Sequence, residues 1–250
     1  GKSTHNHIYF GDSLSTYYMR EIERPFFAYY LKDEGTGQFP EAYLFNTGKK
    51  QWEKFDTWPP KDAAQFKLSF APNGKLLINK PGNPADVFDY VSDPNKPVPY
   101  TSQTEGLTFT PRNYMSDDQR EASRRPDVLT FESEILTEDM TIAGELLAKL
   151  KVAISGTDAD FVVKLIDVYP DDHPNYEHNP KNIVMAGYQQ LVRSEVMRGR
   201  YRNSFENPEP FVPGTPTDVN VQLQDVLHTF KKGHRIMIQV QSTWFPFIDR

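Results

Sequence analysis

The stretch "GTDADFVVKLIDVYPDD", residues 156–172, places Asp158, Asp160, Asp167, Asp171 and Asp172 around one short apolar run, and its reading decides the fold. A calcium loop needs oxygen ligands at alternating positions and a glycine turn, but Phe161, Val162 and Val163 follow Asp160 directly. The run is instead a strand over 161–168. One face carries Phe161, Val163, Leu165 and Asp167, and the other carries Val162, Lys164, Ile166 and Val168. Asp158 and Asp160 then belong to the preceding turn, and Asp171 and Asp172 to the turn after Pro170, where aspartate oxygens accept backbone N–H bonds. Asp167 shares the apolar face and requires a partner if buried.

The same texture extends outward. Short apolar runs separated by turn residues begin at "EAYLFNTG" and "KQWEKFDTWPP" and continue through "AQFKLSFAPNGKLLIN", "DVLTFESEIL", "MTIAGELLAKLKVAIS", "YQQLVRSEVM", "TDVNVQLQDVLHTF" and "HRIMIQVQST". Several alternate with period two, and "PNGK" is a hairpin turn. In "MTIAGELLAKLKVAIS" Leu146, Leu147 and Leu150 also fit a helix face, but Gly144 and the β-branched ends favour a strand. Many strands with few helices predict a sandwich, most simply a jelly roll. The exception is "STYYMREIERPFFAYYLKDEG", where Tyr18, Ile22, Phe26, Tyr29 and Tyr30 recur at helical spacing and Gly35 ends the pattern. Pro25 lies inside it and predicts a kink or a split. A proline-rich stretch over 79–127 predicts a loop packed along the sandwich.

Composition narrows the function classes. The chain has 250 residues, enough for one large β-rich domain or a domain with an appendage, and 17 Phe with 13 Tyr supply core bulk. A net charge of −6 argues against nucleic acid, and the basic run "RSEVMRGRYR" (193–202) reads as solvated or ion-paired. The absence of cysteine removes disulfides, thiolate catalysis and cysteine-metal sites. No run is long and apolar enough to span a bilayer, so no membrane partner is expected, and the first residues lack the order of a signal peptide.

Candidate chemistry is thin. "GKST" at residues 1–4 imitates the end of a phosphate-binding loop but lacks the preceding strand and following helix. His5 and His7 point the same way on an extended segment without a third metal ligand in reach, and His173 with His178 sit among carboxylates on a turn-rich loop. Both pairs read first as surface histidines. Gly11-Asp12-Ser13-Leu14-Ser15 lacks the second glycine of a nucleophile elbow. No catalytic, cofactor-binding or metal residue is assigned, and no cofactor is expected. Trp52, Trp58, Tyr43 and Trp244 offer an alternative reading as a carbohydrate-stacking platform, against the plainer one in which they fill the core or meet a missing domain.

The blocks "YYMREIERPFFAYYLK", "PEAYLFNTGKKQWEKFDTWPP", "DYVSDPNKPVPY", "RRPDVLTFESEILTEDMTIAG", "SGTDADFVVKLIDVYPD", "GYQQLVRSEVMRGRYRNSF" and "FKKGHRIMIQVQSTWFPFIDR" occur in this order. They resemble the C-terminal part of the serine hydrolases that include α-amino-acid ester hydrolases, glutaryl-7-aminocephalosporanic acid acylases, cocaine esterase and X-Pro dipeptidyl-peptidases. The resemblance runs from His7 to Arg250 and is strongest towards the ester hydrolase and acylase branch. It implies that residues 1–36 are the last helix and loop of an α/β-hydrolase domain. Residues 37–250 would then form a jelly-roll β-sandwich of galactose-binding-like type. It also implies that the Ser-Asp-His triad lies upstream of Gly1, that this chain alone is inactive, and that its partner is the N-terminal hydrolase domain of the same parent. The parent would act on a small ester or amide, with an X-Pro dipeptidyl-peptidase as the alternative activity. The family usually continues past a block like "QSTWFPFIDR", so an open sheet edge or a homo-oligomer is a further expectation. The compartment stays open between periplasmic or secreted and cytoplasmic.

Overall fold

The structure is a computed structural model that describes residues 3–101, 112–177, 179 and 182–249. Gly1, Lys2, His178, Arg250 and the centre of the proline-rich stretch therefore lie outside the described residues.

The chain opens with a small hairpin, β1 (Thr4–His5) and β2 (Ile8–Tyr9), followed by α1 (Leu14–Tyr17), a π-helical turn over Tyr18–Glu23 and α2 (Arg24–Lys32). Pro25 has no N–H to give the helix and its ring crowds the preceding turn, and the widened π turn lies just ahead of it, ending at Glu23 with Pro25 in the first turn of α2. The helical run continues through this feature rather than breaking. It stops at Asp33, which is left-handed at φ 55°, ahead of Gly35.

Ten strands follow: β3 (Ala42–Asn46), β4 (Gln51–Phe55), β5 (Leu68–Ala71), β6 (Lys75–Ile78), β7 (Leu129–Glu132), β8 (Met140–Val152), β9 (Asp160–Val168), β10 (Gln189–Arg198), β11 (Thr217–Phe230) and β12 (Arg235–Gln241). The expected strands are all present, the ambiguous 140–152 segment among them, and Asn73 and Gly74 turn the β5–β6 hairpin at positive φ. A six-stranded sheet runs β10-β9-β12-β7-β6-β5, antiparallel except at β6–β7. The long β8–β11 ribbon forms the facing layer. This is the mainly β, jelly-roll-like sandwich that the sequence predicts.

β9 shows why the sandwich closes as it does. Its odd face meets the ribbon: Phe161 and Val163 pack with Val219, Val221 and Leu223, while Leu165 joins Phe230, Ile236 and Phe131. Its even face is covered as well, by Tyr100, Trp244 and the half-buried Tyr114 over Val162, Ile166 and Val168. The proline-rich stretch and the C-terminal turn are thus a strap across the outside of the sheet. Because both faces of β9 are buried, Lys164 is buried with them. Asp160 begins the strand, rather than belonging to the turn before it, whereas Asp171 and Asp172 occupy the following turn as expected.

Candidate functional site: an uncovered aromatic face

The helical segment buries no side chain, yet it is rich in aromatic residues. Its near side is used. Tyr17 stacks on Trp52 of β4 (centroids 5.1 Å apart, 12° between planes) and hydrogen-bonds the Tyr43 hydroxyl of β3. Burial, followed by that bond to Tyr17, raises the pKa of Tyr43. Phe45 packs on Trp52 and Phe10, so the hairpin β3–β4 holds the helix by an aromatic bracket.

The far side has no cover. Phe26, Phe27, Tyr30 and Phe39 form a ring cluster with centroids 4.6–6.0 Å apart, and Leu31 beside them is 75% exposed. Tyr18 and Met19, in the π turn, are also exposed. Gly37 makes the cluster possible: at φ +67° it folds the chain back so closely that a Cβ would lie 2.3 Å from the Tyr29 ring, and Phe39 then reaches the helix. Contiguous exposed aromatic surface of this kind marks an interaction site.

The residues considered for chemistry are dispersed. His5 Nε2 donates to the Arg112 carbonyl at 3.0 Å, and His7 Nδ1 meets the Tyr188 hydroxyl at 3.1 Å. Ser13 Oγ donates to Thr16 Oγ1 at the helix start, and neither histidine is its partner. His173 Nδ1 lies 2.8 Å from the Pro174 carbonyl, and burial lowers its pKa. Among the described residues no group of three histidines or carboxylates is placed to hold a metal. The four aromatics of the stacking platform are also separated. Trp244 is buried beneath the strap, Trp52 and Tyr43 bracket Tyr17, and Trp58 packs on Phe55 with its Nε1 donating to Asp225. The basic run is ion-paired as expected, through Arg198–Asp249, Arg200–Asp158 and Arg202–Glu209.

Asp167 does find partners, and they are ones that sequence reasoning missed. Its carboxylate, 2% exposed, meets His234 Nδ1 at 2.8 Å and His228 Nε2 at 3.2 Å. Burial pushes its pKa up, but the bonds to His228 and His234 outweigh this and hold it below the usual carboxylate value. His228 Nδ1 in turn meets Thr47 Oγ1 at 2.7 Å, which ties the β3–β4 turn to β11 and β9. The only signal in the sequence is that a histidine falls on the inward phase of β11 and another just ahead of β12.

The described residues thus form a mainly β sandwich preceded by a helical arm that carries an uncovered aromatic cluster. Residues 26–250 match the X-Pro dipeptidyl-peptidase C-terminal non-catalytic domain, and the chain belongs to that family. Cocaine esterase of Rhodococcus sp. (strain MB1 Bresler) is 29% identical over 249 aligned positions, which cover 94% of this chain and 40% of the relative. Two solved structures overlay with a TM-score of 0.86 over 99% of the chain. One is an aminopeptidase from a marine sediment Thaumarchaeota archaeon, at 38% identity, and the other an α-amino acid ester hydrolase, at 37%. The chain spans only 40% and 41% of those two proteins.

Proposed function

We propose that this chain is the C-terminal sandwich of a serine hydrolase acting on esters or amides. In this reading residues 1–36 belong with an α/β-hydrolase domain and residues 37–250 form the domain that braces it and borders its substrate cleft. The observation that carries it is the uncovered ring cluster of Phe26, Phe27, Tyr30 and Phe39 on the arm. The natural occupant of that face is the hydrolase domain of the same parent, since relatives sharing this fold throughout are about two and a half times as long. The nucleophile and its triad partners then lie in the rest of the parent, which leaves Ser13, His5 and His7 as structural residues.

The test is made in the full-length parent with Phe27→Glu and Leu31→Glu. Each places a charge in a buried interface without a partner, which typically costs about 3–5 kcal/mol. The expected result is separation of one cooperative unfolding transition into two, with hydrolysis of p-nitrophenyl and amino-acid esters falling in parallel. A parent that keeps one transition and full activity refutes the docking face. Turnover by the purified chain at parent-like rates would refute the assignment of the triad elsewhere.

A further inference from the structure

Lys164 stands in the middle of β9, fully buried under the strap. Among the described residues its Nζ makes one hydrogen bond, to Gln119 Oε1 at 2.9 Å, and it lies 4.7 Å from the centre of the Trp244 ring. An ammonium carries three donors, and the indole face compensates only part of its lost hydration. Around it the wall is polar and underused: Oε1 of Gln239, its register partner on β12, has no hydrogen bond, nor do Gln241 Oε1, the Tyr100 hydroxyl and Trp244 Nε1.

The titratable groups facing this layer are few. Asp117 on the strap favours the protonated amine, while Tyr100 and Tyr114 are themselves pushed up by burial, and Glu195 of β10 reaches the layer through Tyr114. β12 contributes the amides of Gln239 and Gln241 beside Lys164, and at its start, opposite Val168, the Arg235 guanidinium, which is paired with Glu132. Burial dominates, and it lowers the Lys164 pKa from 10.5 to about 7.

The strap above Lys164 is also the seat of the N-terminal arm. Asn6 Nδ2 donates to the Asp117 carboxylate at 2.7 Å, Ser116 Oγ donates to the His5 carbonyl at 3.3 Å, and His5 donates to the Arg112 carbonyl. The same strap is fastened to β10 by Gln119 N–H to the Gln189 carbonyl and Leu191 N–H to the Asp117 carbonyl.

We propose that Lys164 is a protonation latch: as the free amine it lets residues 112–119 and Trp244 close on the sheet, and as the ammonium it drives the strap, with the arm seated on it, towards an open and hydrated state. A closed form that holds the amine near pKa 7 and an open form that releases it to 10.5 differ in proton affinity. Opening therefore grows as pH falls through that window and levels off below it.

The experiment is amide hydrogen exchange on the full-length parent between pH 9 and pH 6, corrected for the intrinsic exchange rate. The opening constant in peptides spanning 112–121 and 3–10 is expected to rise about fiftyfold from pH 9 to pH 7 and to flatten towards pH 6. Lys164→Met is expected to abolish the slope, and Gln119→Glu, which sets a carboxylate against the amine, to shrink it. The wild-type measurement decides the matter even if Lys164→Met fails to fold. An opening constant constant within about twofold over pH 9 to 7, an equal slope in peptides from β8 and β11, or an unchanged slope in Lys164→Met would each overturn the latch.

Discussion

Replacing Asp167 with asparagine and with alanine separates two accounts of the buried His228–Asp167–His234 cluster. In the wild type the carboxylate accepts from His234 Nδ1–H at 2.8 Å and from His228 Nε2–H at 3.2 Å, and Thr47 donates to His228 Nδ1. Asparagine keeps one acceptor, for His234. Its amide then faces His228, which can answer by moving its proton to Nδ1 and donating to Thr47, leaving Nε2 to accept. Asp167→Asn therefore loses charge assistance in two bonds without orphaning a donor, a cost of about 2 kcal/mol. Asp167→Ala orphans both imidazole N–H groups in a site with no access to water, at about 1–3 kcal/mol each, for a total of roughly 3–5 kcal/mol. The sign with pH follows from the depressed pKa of Asp167. Its contribution is present above the usual carboxylate value and is lost as pH falls through the folded value, so the gap between wild type and Asp167→Asn closes in acid. Urea denaturation followed by tryptophan fluorescence at pH 7 and at pH 3 reads both effects. An Asp167→Asn protein as unstable as Asp167→Ala, or an Asp167→Ala cost below about 1 kcal/mol, would refute the hydrogen-bond reasoning.

Two further outcomes test the frame around this cluster. Gly48→Ala puts a Cβ 1.9 Å from the Thr229 carbonyl oxygen, a rigid backbone atom. The β3–β4 turn must retreat from β11, and a loss of at least about 2 kcal/mol in urea midpoint stability is expected; a neutral result would mean that the turn does not rest on β11. Arg120→Ala removes a guanidinium that donates to Asp118 and to the carbonyls of Val184 and Ala186, whereas Lys231→Ala breaks only the exposed pair with Asp139. The first is expected to cost about 2 kcal/mol or more and the second under about 0.5 kcal/mol, so equal effects would contradict the ranking.

The strands were legible because alternation and turn chemistry are local. "PNGK" needs only its own residues to turn, and β8 was separable from a helix by Gly144 and its β-branched ends. The helix was legible too, and Pro25 marked the place of its irregularity, but the bracket of Tyr17 with Tyr43 and Trp52, which joins residues some 26 to 35 positions apart, has no local pattern behind it. The buried polar chemistry was not legible. Lys164 shares its face of β9 with Val162, Ile166 and Val168, and nothing local shows that a strap some forty residues earlier in the chain crosses that face and buries it. Asp167 announced a need for a partner, yet His228 and His234 come from β11 and the turn into β12, 61 and 67 residues away, and no local pattern links them.

The distribution of covered and uncovered surface points the function outward from the sandwich. β9 is closed on both faces, and where polar groups enter that closed interior at Asp167 and Asn46 they are met by hydrogen bonds. The arm is the opposite case, with nineteen residues from the start of α1 to the end of α2 and the aromatics Phe26, Phe27 and Tyr30 half exposed. Leaving such rings in water costs roughly 25 cal/mol for each Å² of apolar area that a partner would cover. The sheet is covered on both faces while Phe26, Phe27 and Tyr30 of the arm stay bare, and an apolar surface of that kind is what a partner would cover. The aromatic bracket at Tyr17 then serves to hold that surface at a fixed angle to the sheet.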